Sequence, residues 1–519
     1  MAIDLPPPAA PQQSAIEALR QATEQQSMLV RWQQYTVHLA GTDAVDEDLL
    51  KDAVRGADTL SNVLRRIKTV YYRAGFLAAQ VQYALDGADL FVLTTPGNLS
   101  SVELPAPYLS YFEGLVFQGE LTDDKLEPAR TLASVHADRR GESLQLLLEP
   151  GDGGSTLSSD EPRKLLPTYK LGADFGNTGN RFAGRHLASY FAQKSFATGD
   201  EFRLDGRHAL TGLERSDSPS RGYDEGSASW SHVMPMGIVG ARGRYIEYKQ
   251  ELDFNIGLGP TTHFTGKIQQ YELSWAYPLA AAFNRRWYLS SKLDYNKKTY
   301  EVSQLNADIQ RQEYGSVEVG SNYEHVLNMQ TRPINLYLNL AVRSGLGDDQ
   351  TDNPLKAADF GYLLFRPSIQ VSSLIGDYTN AGVKLIAQLS EDTVPEQQQW
   401  VVGGVNNVEA FLPGIAAGDS GGVAQLFVSQ TLEWGGTTLI PRVYAEYGYA
   451  ELANPNTALA QSGAVQALMD VGISVEAQLQ KNLQLRLSYA ESFDEKNISV
   501  PQQRAADANM FFSVTLTFP

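Results

Sequence analysis

The chain has 519 residues with a formal net charge of −18, and among them are Gly 44, Tyr 25 and Phe 20 but Cys 0. The lack of cysteine excludes disulfides and thiolate metal sites, and an acidic balance with a pI near 4.9 argues against a nucleic-acid partner, which needs a basic stripe. A mean hydropathy of −0.27 without an apolar run of membrane-helix length excludes helical spans, but not a barrel, whose strands dilute their lipid face with lumen residues.

Residues 1–13 are rich in Pro, Ala and Gln and are expected to be disordered. The opening Met1-Ala2-Ile3-Asp4 lacks the charged start and apolar core of a signal peptide, so an exported chain would already have lost one. Ser14 to Gln34 reads as one helix of good formers with Ser14 as N-cap. Tyr35–Leu39 follows as a strand, almost without a linker. Asp46–Ala53 and Leu60–Arg73 read as helices. The second carries Leu60, Val63, Leu64, Ile67 and Val70 at helical spacing and stops at Gly75. Ala79–Leu85 and Leu90–Thr94 alternate around Asp86-Gly87, a hairpin signal. A smaller unit runs from Val102 to Glu149, with a helix from Asp123 to Arg139 opened by Thr122 and a strand at Ser143–Glu149. The Gly- and Ser-rich stretch from Gly151 to Arg163 reads as a flexible hinge.

From Pro167 to the end one unit repeats: an alternating stretch, a short turn, a second stretch, then a long polar loop. Leu483–Tyr489 and Ile334–Leu340 show the period of two cleanly. Sixteen strands are read, beginning near Tyr169, Arg185, Glu201, Gly222, Ile238, Gly266, Arg286, Gln312, Arg332, Phe360, Tyr378, Gly422, Leu439, Ala464, Leu483 and Ala508. Connections after even strands are tight, and those after odd strands are long, the longest running from Glu391 to Gly421. This pattern predicts a closed antiparallel transmembrane barrel with both termini in the periplasm. About sixteen strands leave an aqueous channel rather than a packed interior. Alternation sends Arg203, Asp205, Arg207, Lys292 and Asp294 to the lumen, and Phe202, Leu204, Leu289, Leu293 and Tyr295 to lipid.

In this order the chain, from Tyr35 to Phe518, resembles the outer-membrane transporters of two-partner secretion, the filamentous-haemagglutinin and haemolysin exporter family. Tyr72-Arg73-Ala74-Gly75-Phe76 resembles the motif after the second helix of the family's first periplasmic polypeptide-transport-associated (POTRA) module. Leu121–Arg130 is similar to the helix start of the second. The resemblance implies a tail and helix at 1–34, POTRA domains at 35–97 and 98–150, a linker at 151–166 and a barrel at 167–519. It also implies that the loop between strands eleven and twelve folds back into the lumen. Its tip would comprise Gly403, Gly404, Val408, Glu409, Ala410 and Phe411, facing Tyr444, Glu446 and Gly448 on strand thirteen. In the family an arginine at the tip meets the strand-thirteen acid. Here Glu409 replaces the arginine, and Glu409 opposite Glu446 is expected to repel. Three outcomes stay open: another base pairs with Glu446, the loop is held by glycine turns and Phe411, or it is mobile. The N-terminal helix, lacking a long linker, is expected to dock on the first module or stay loose rather than plug the pore.

Other motifs receive plainer readings. Gly418-Asp419-Ser420-Gly421-Gly422 spells a serine-protease nucleophile signature, yet none of the seven histidines has the setting of its general base, so it reads as a glycine-rich loop end. Asp174-Phe175-Gly176 reads as a strand end. Asp348, Asp349, Asp352 and Asn353 fit no calcium loop and read as a solvated acidic loop. Arg203, Arg207, Arg343 and Arg486 line the lumen, where they either steer an exported chain or solvate the pore.

The expected function is an outer-membrane pore that moves a partner exoprotein from periplasm to cell surface. No enzyme activity, cofactor, metal or nucleic acid is expected. Implied partners are the exoprotein's N-terminal secretion domain, unfolded in the periplasm, outer-membrane lipid, and the barrel-assembly machinery. An insertase of the same superfamily and a passive porin are the alternatives. The first usually carries more periplasmic modules, and the second needs none.

Overall fold

The computed structural model describes residues 11–519 except 26, 152–153, 161–162, 165–166, 181–182, 215–219, 253–261, 283, 303–306, 328–331, 348–357 and 454–464. The acidic loop 348–353 therefore lies outside the described residues. Two compact units form. One holds residues 1–166 with 233–237 and 278–286, and the other holds the rest.

In the first unit, α1 (Ile16–Gln25) is shorter than its helical composition predicts, because Met28–Trp32 forms a strand. Its side chains alternate, with Val30 and Trp32 buried and Leu29 and Arg31 exposed, and tertiary pairing overrides local propensity. The first sheet contains β1 (Gln12–Gln13), β2 (Met28–Trp32), β3 (Tyr35–Ala40), β4 (Gln80–Asp86) and β5 (Asp89–Thr95), in the order β1-β4-β5-β3-β2. Helices α2 (Glu47–Arg55) and α3 (Leu60–Arg73) join β3 to β4 and start where Asp46 and Thr59 cap free amides. Their apolar faces meet the sheet in a core of Val37, Leu39, Leu50, Val54, Val63, Ile67, Tyr71 and Val92. Helix α1 docks on this sheet, packing Leu19 against Ala84 and Phe91, with Arg20 paired to Asp86.

A second sheet contains β6 (Leu99–Glu103), β7 (Leu146–Gly151) and β8 (Gly154–Ser159), with α4 (Ala106–Phe112) and α5 (Asp123–Arg140) alongside in the chain. The expected linker from residue 151 is corrected here. Gly154–Ser159 is the central strand, paired with both β6 and β7, and buries Ser155 and Leu157. Its serines and glycine imitate a linker because a short strand needs only one or two large side chains to be anchored.

Gly75 and Phe76 form the joint between the two sheets' modules, and Tyr72 O accepts from Gly75 N at 3.1 Å behind it. Gly75 sits at φ +95, its carbonyl accepts from Asp123 N at 2.8 Å, and Phe76 bridges to Thr122. An added Cβ on Gly75 would lie 2.7 Å from Asp123 Oδ1.

The second unit is a closed barrel of sixteen antiparallel strands, with the first (Tyr169–Gly176) paired to the last (Met510–Phe518) from Leu171↔Phe518 to Gly176↔Ser513. Strand starts fall within about five residues of expectation, the largest offset being Ala307 against the predicted Gln312. Outward positions are apolar and exposed: Phe202, Leu204, Leu273, Leu293 and Tyr295. Inward neighbours are charged and paired, as in Arg203–Asp205, Lys292–Glu318 and Arg343–Asp294. An oily exterior around a wet interior inverts a soluble protein and is the pattern of a transmembrane barrel.

Burial, with Asp124 beside it, pushes the Asp123 carboxyl up to about 6. The folded form then holds this proton more tightly than the unfolded chain, so stability falls as pH rises from about 4 through 6. Asp123→Asn should flatten the pH dependence of urea unfolding of residues 1–166 across that window. Gly75→Ala should destabilise the same unit by about 1–2 kcal/mol, the cost of a left-handed residue with a Cβ.

Candidate functional site

The site is built by the connection between strand eleven (Thr379–Gln388) and strand twelve (Ser420–Gln430, continued at Leu432–Trp434). A short hairpin, Trp400–Val402 against Ala416–Gly418, carries the loop tip. At its base, Gln398 Oε1 accepts from Arg343 and Arg366, each at 3.2 Å, and its amide donates to Tyr314 Oη at 3.3 Å. These partners lie on strands eight (Ala307–Leu327), nine (Ile334–Leu346) and ten (Leu363–Leu374). The tip meets strands thirteen (Thr437–Glu451), fourteen (Val465–Gln480) and fifteen (Leu483–Lys496), so the loop bridges two arcs of the lumen wall.

Five hydrogen bonds fix the tip, four of them to the barrel wall. Glu409 Oε1 accepts from Arg486 Nη2 at 2.7 Å and from Asn406 N at 2.9 Å, while Tyr444 Oη donates to Oε2 at 2.9 Å. Glu409 N donates to Glu446 Oε2 at 3.0 Å, and Ala410 N donates to Asp470 Oδ2 at 2.8 Å. Glu409, Glu446 and Asp470 are at most 2% exposed, so each carboxylate needs these donors.

The like-charge opposition of Glu409 and Glu446 stands, but the two side chains take separate partners. Glu446 meets the backbone amide of Glu409, and the Glu409 carboxylate turns to Arg486 on strand fifteen. Relative to the family pattern, the acid stands on the loop and the base on the wall. Gln425 donates its other bond to Glu446, and Arg442 bonds Gln425 while lying 4.2 Å above the Phe427 ring.

The strand-thirteen triplet acts as one surface. Tyr444 and Glu446 supply the polar contacts just described, and Gly448 leaves room for the tip. A Cβ there would lie 2.6 Å from Val408 and 2.8 Å from Val402. Val408 itself is fully buried at φ +63, a strained conformation for a β-branched residue that its surroundings must impose. Gly403 and Gly404 turn the chain at φ +102 and +95, with Gly404 N bonded to Phe411 O at 2.7 Å. Phe411 joins Leu412, Ile415, Tyr444 and Leu468 in an apolar cluster.

The structure thus brings together the loop and strand-thirteen residues, while Tyr72, Gly75 and Phe76 lie at the separate joint already described. The Asp-Ser of the protease-like run is a clasp for the loop's roots. Asp419 accepts from Val394 N and Ala453 N at 3.0 and 2.9 Å, and Ser420 Oγ donates to Ser390 O at 2.9 Å. Asp470 was missed, and Arg486 was read only as a lumen cation. Each stands on the lumen phase of its strand between apolar neighbours, Met469 and Val471 or Leu485 and Leu487, which marks its face but not its partner.

A closed sixteen-strand barrel with a polar lumen and an internal loop, preceded by two small α/β sheets, defines an outer-membrane transport barrel. Over residues 153–476 the chain matches the profile of the haemolysin secretion/activation proteins ShlB/FhaC/HecB, and it belongs to that family. It is an outer-membrane pore of two-partner secretion, a class of exoprotein transporter rather than enzyme. Its fold is similar to CdiB from Escherichia coli, at TM-score 0.70 and 14% identity, covering 97% of this chain and 96% of that one. CdiB from Acinetobacter baumannii gives TM-score 0.65 and 13% identity, covering 99% and 95%. No curated protein sequence matches.

Removing one partner of a buried ion pair typically costs about 3–5 kcal/mol because the other charge is stranded. Arg486→Gln should therefore release the tip, seen as faster hydrogen exchange at the 409 and 410 amides in the detergent-solubilised protein. Gly448→Val should do the same by steric displacement. Unchanged protection in both variants would show that these contacts do not hold the loop.

Proposed function

We propose that the loop tip is a removable closure of the export channel, held by the Glu409–Arg486 pair and the amides seated on Glu446 and Asp470. The observation that carries this is the position of the tip, inside the lumen and bonded to three strands through groups that have no role in barrel closure. An unfolded exoprotein arriving in the periplasm is captured by the N-terminal domains, which lie on that side of the membrane. Lipid surrounds the apolar belt, and the barrel-assembly machinery inserts it. Folding of the cargo at the cell surface draws the chain outward, without catalysis, cofactor or metal.

Capture proceeds by β-augmentation, in which an extended segment adds to a sheet edge. The outer edge of β4 carries β1 in parallel, at Gln12↔Gln82 and Gln13↔Tyr83, so the Ala79–Leu85 edge is already partly occupied. Among the described residues, the far side of β2 pairs with no strand, and it is the edge we assign to cargo. An exposed row of unpaired backbone groups is a ready template for another chain.

Excision of residues 404–411 should abolish closure and impair export of the exoprotein; export at the wild-type rate would reject a role for the loop. Residues 1–166 should bind the exoprotein's N-terminal domain, and Arg31→Pro, which removes a donor from the free edge of β2 at a residue whose side chain is exposed, should weaken that binding at least about tenfold, the equivalent of 1.4 kcal/mol.

A further inference from the structure

We propose that the connection between strands fifteen and sixteen is a hinged lid latched onto the loop tip, and that the lumen opens only when this latch releases. The proposal rests on the reading of the lumen as the export path and adds a second, separate fastening. The connection carries α6 (Val500–Ala506), which begins in a capping box formed by Ser499 and Gln502. It meets the tip as one antiparallel bridge, Phe411↔Asp507. Leu412 N donates to Ala506 O at 2.7 Å on one side, and Ala508 N donates to Ala410 O at 3.3 Å on the other.

Apolar contact completes the latch. Ile498, Ala506, Ala508 and Phe511 join Phe411, Leu412 and Ile415 in one buried cluster. The tip is thus gripped on two faces by different chemistry. Glu409 and the neighbouring amides grip the barrel wall through charge, and Phe411 grips the lid through apolar contact. Ion pairing alone would leave the apolar side of the tip facing water, and the lid covers it.

The lid is tied to the barrel at both ends and to the tip in between; at the strand-fifteen end Asn497 Nδ2 donates to Val465 O at 2.7 Å. Its strand-sixteen end is sewn into the barrel seam: Asn177, just past strand one, donates to Met510 O at 2.8 Å and accepts from Phe512 N at 2.7 Å, and Ala490 N donates to Asn509 O at 2.8 Å. Its contact with the tip consists of the single bridge and the apolar cluster, with Arg185 Nη2 bonded to Asp507 O as a side tether. The weaker joint is the one that closes the lumen. The hinge falls at Ala508-Asn509, between the latch and the seam.

The native chain contains Cys 0, so an engineered pair is the only disulfide that can form. The backbone bonds flank the Phe411↔Asp507 pair, which makes it a non-hydrogen-bonded pair with Cα atoms about 4.5 Å apart, inside the range a disulfide spans. In the full chain carrying Phe411→Cys and Asp507→Cys, oxidation should form the bond. Channel openings in planar bilayers should then become at least about tenfold rarer than in the same variant after reduction, because a covalent tie removes the open population. Cysteines that stay free after oxidation, or equal conductance in the two states, would overturn the lid. Ala506→Asp, which leaves tip and strands intact, places a carboxylate in the apolar cluster and should raise opening severalfold; unchanged opening would count against the latch. Conductance that follows the redox state while neither state exports the exoprotein would uphold the lid and sink the export reading instead.

Discussion

Closure of the sheet on itself is the constraint from which the rest follows. In hydrocarbon an unpaired backbone amide or carbonyl has no water to bond, so a spanning sheet cannot keep an edge. The pairing of strand one with strand sixteen, from Leu171↔Phe518 onward, removes the last one. It also divides the protein into an outside, where Leu273 and Tyr271 stand exposed, and an inside, where Arg343 lies between Asp294 and Glu318. Once that division exists, every charged side chain on a strand has one place to go, and every loop that enters the lumen must satisfy those charges.

The returning loop meets that demand by an exchange of partners. Three buried acids converge where the tip lands, yet only one takes a guanidinium. The other two take backbone amides, which the tip can aim because Val408 is held at a positive φ. Glu446 is thus met by a backbone N–H and not by a guanidinium, which satisfies one acceptor site without neutralising its charge. The strain at Val408 and the narrow clearance over Gly448 show that the docked geometry is imposed by many contacts together and not favoured by the loop alone.

The N-terminal unit obeys the opposite rule. Its sheets keep edges, as soluble antiparallel or mixed sheets can, and the short β1 covers part of one. The leading segment thus reaches β4 through residues 12–14 and lays α1 over Phe91, so the helix docks on the first module. Edges that a membrane barrel forbids are the feature a capturing domain needs.

Periodicity alone determined the barrel. Alternation in Leu483–Tyr489 or Ile334–Leu340 is imposed locally by the pleat, and turn residues mark strand ends, so strand number, faces and the order of modules are legible in the chain. Helix α3 is legible for the same reason, its apolar spacing matching its residues 60–73. What the order of residues could not show is who meets whom across the lumen. Met28–Trp32 became a strand by folding back on the next segment, Tyr35–Leu39, and Gly154–Ser159 a sheet centre because Leu99–Glu103, far along the chain, recruited it. Arg486 found Glu409 across 77 positions, and Asp470 found Ala410 across 60. Such pairs are set by the curvature of a closed wall and the path of a folded loop, and no local pattern encodes a distance measured through space.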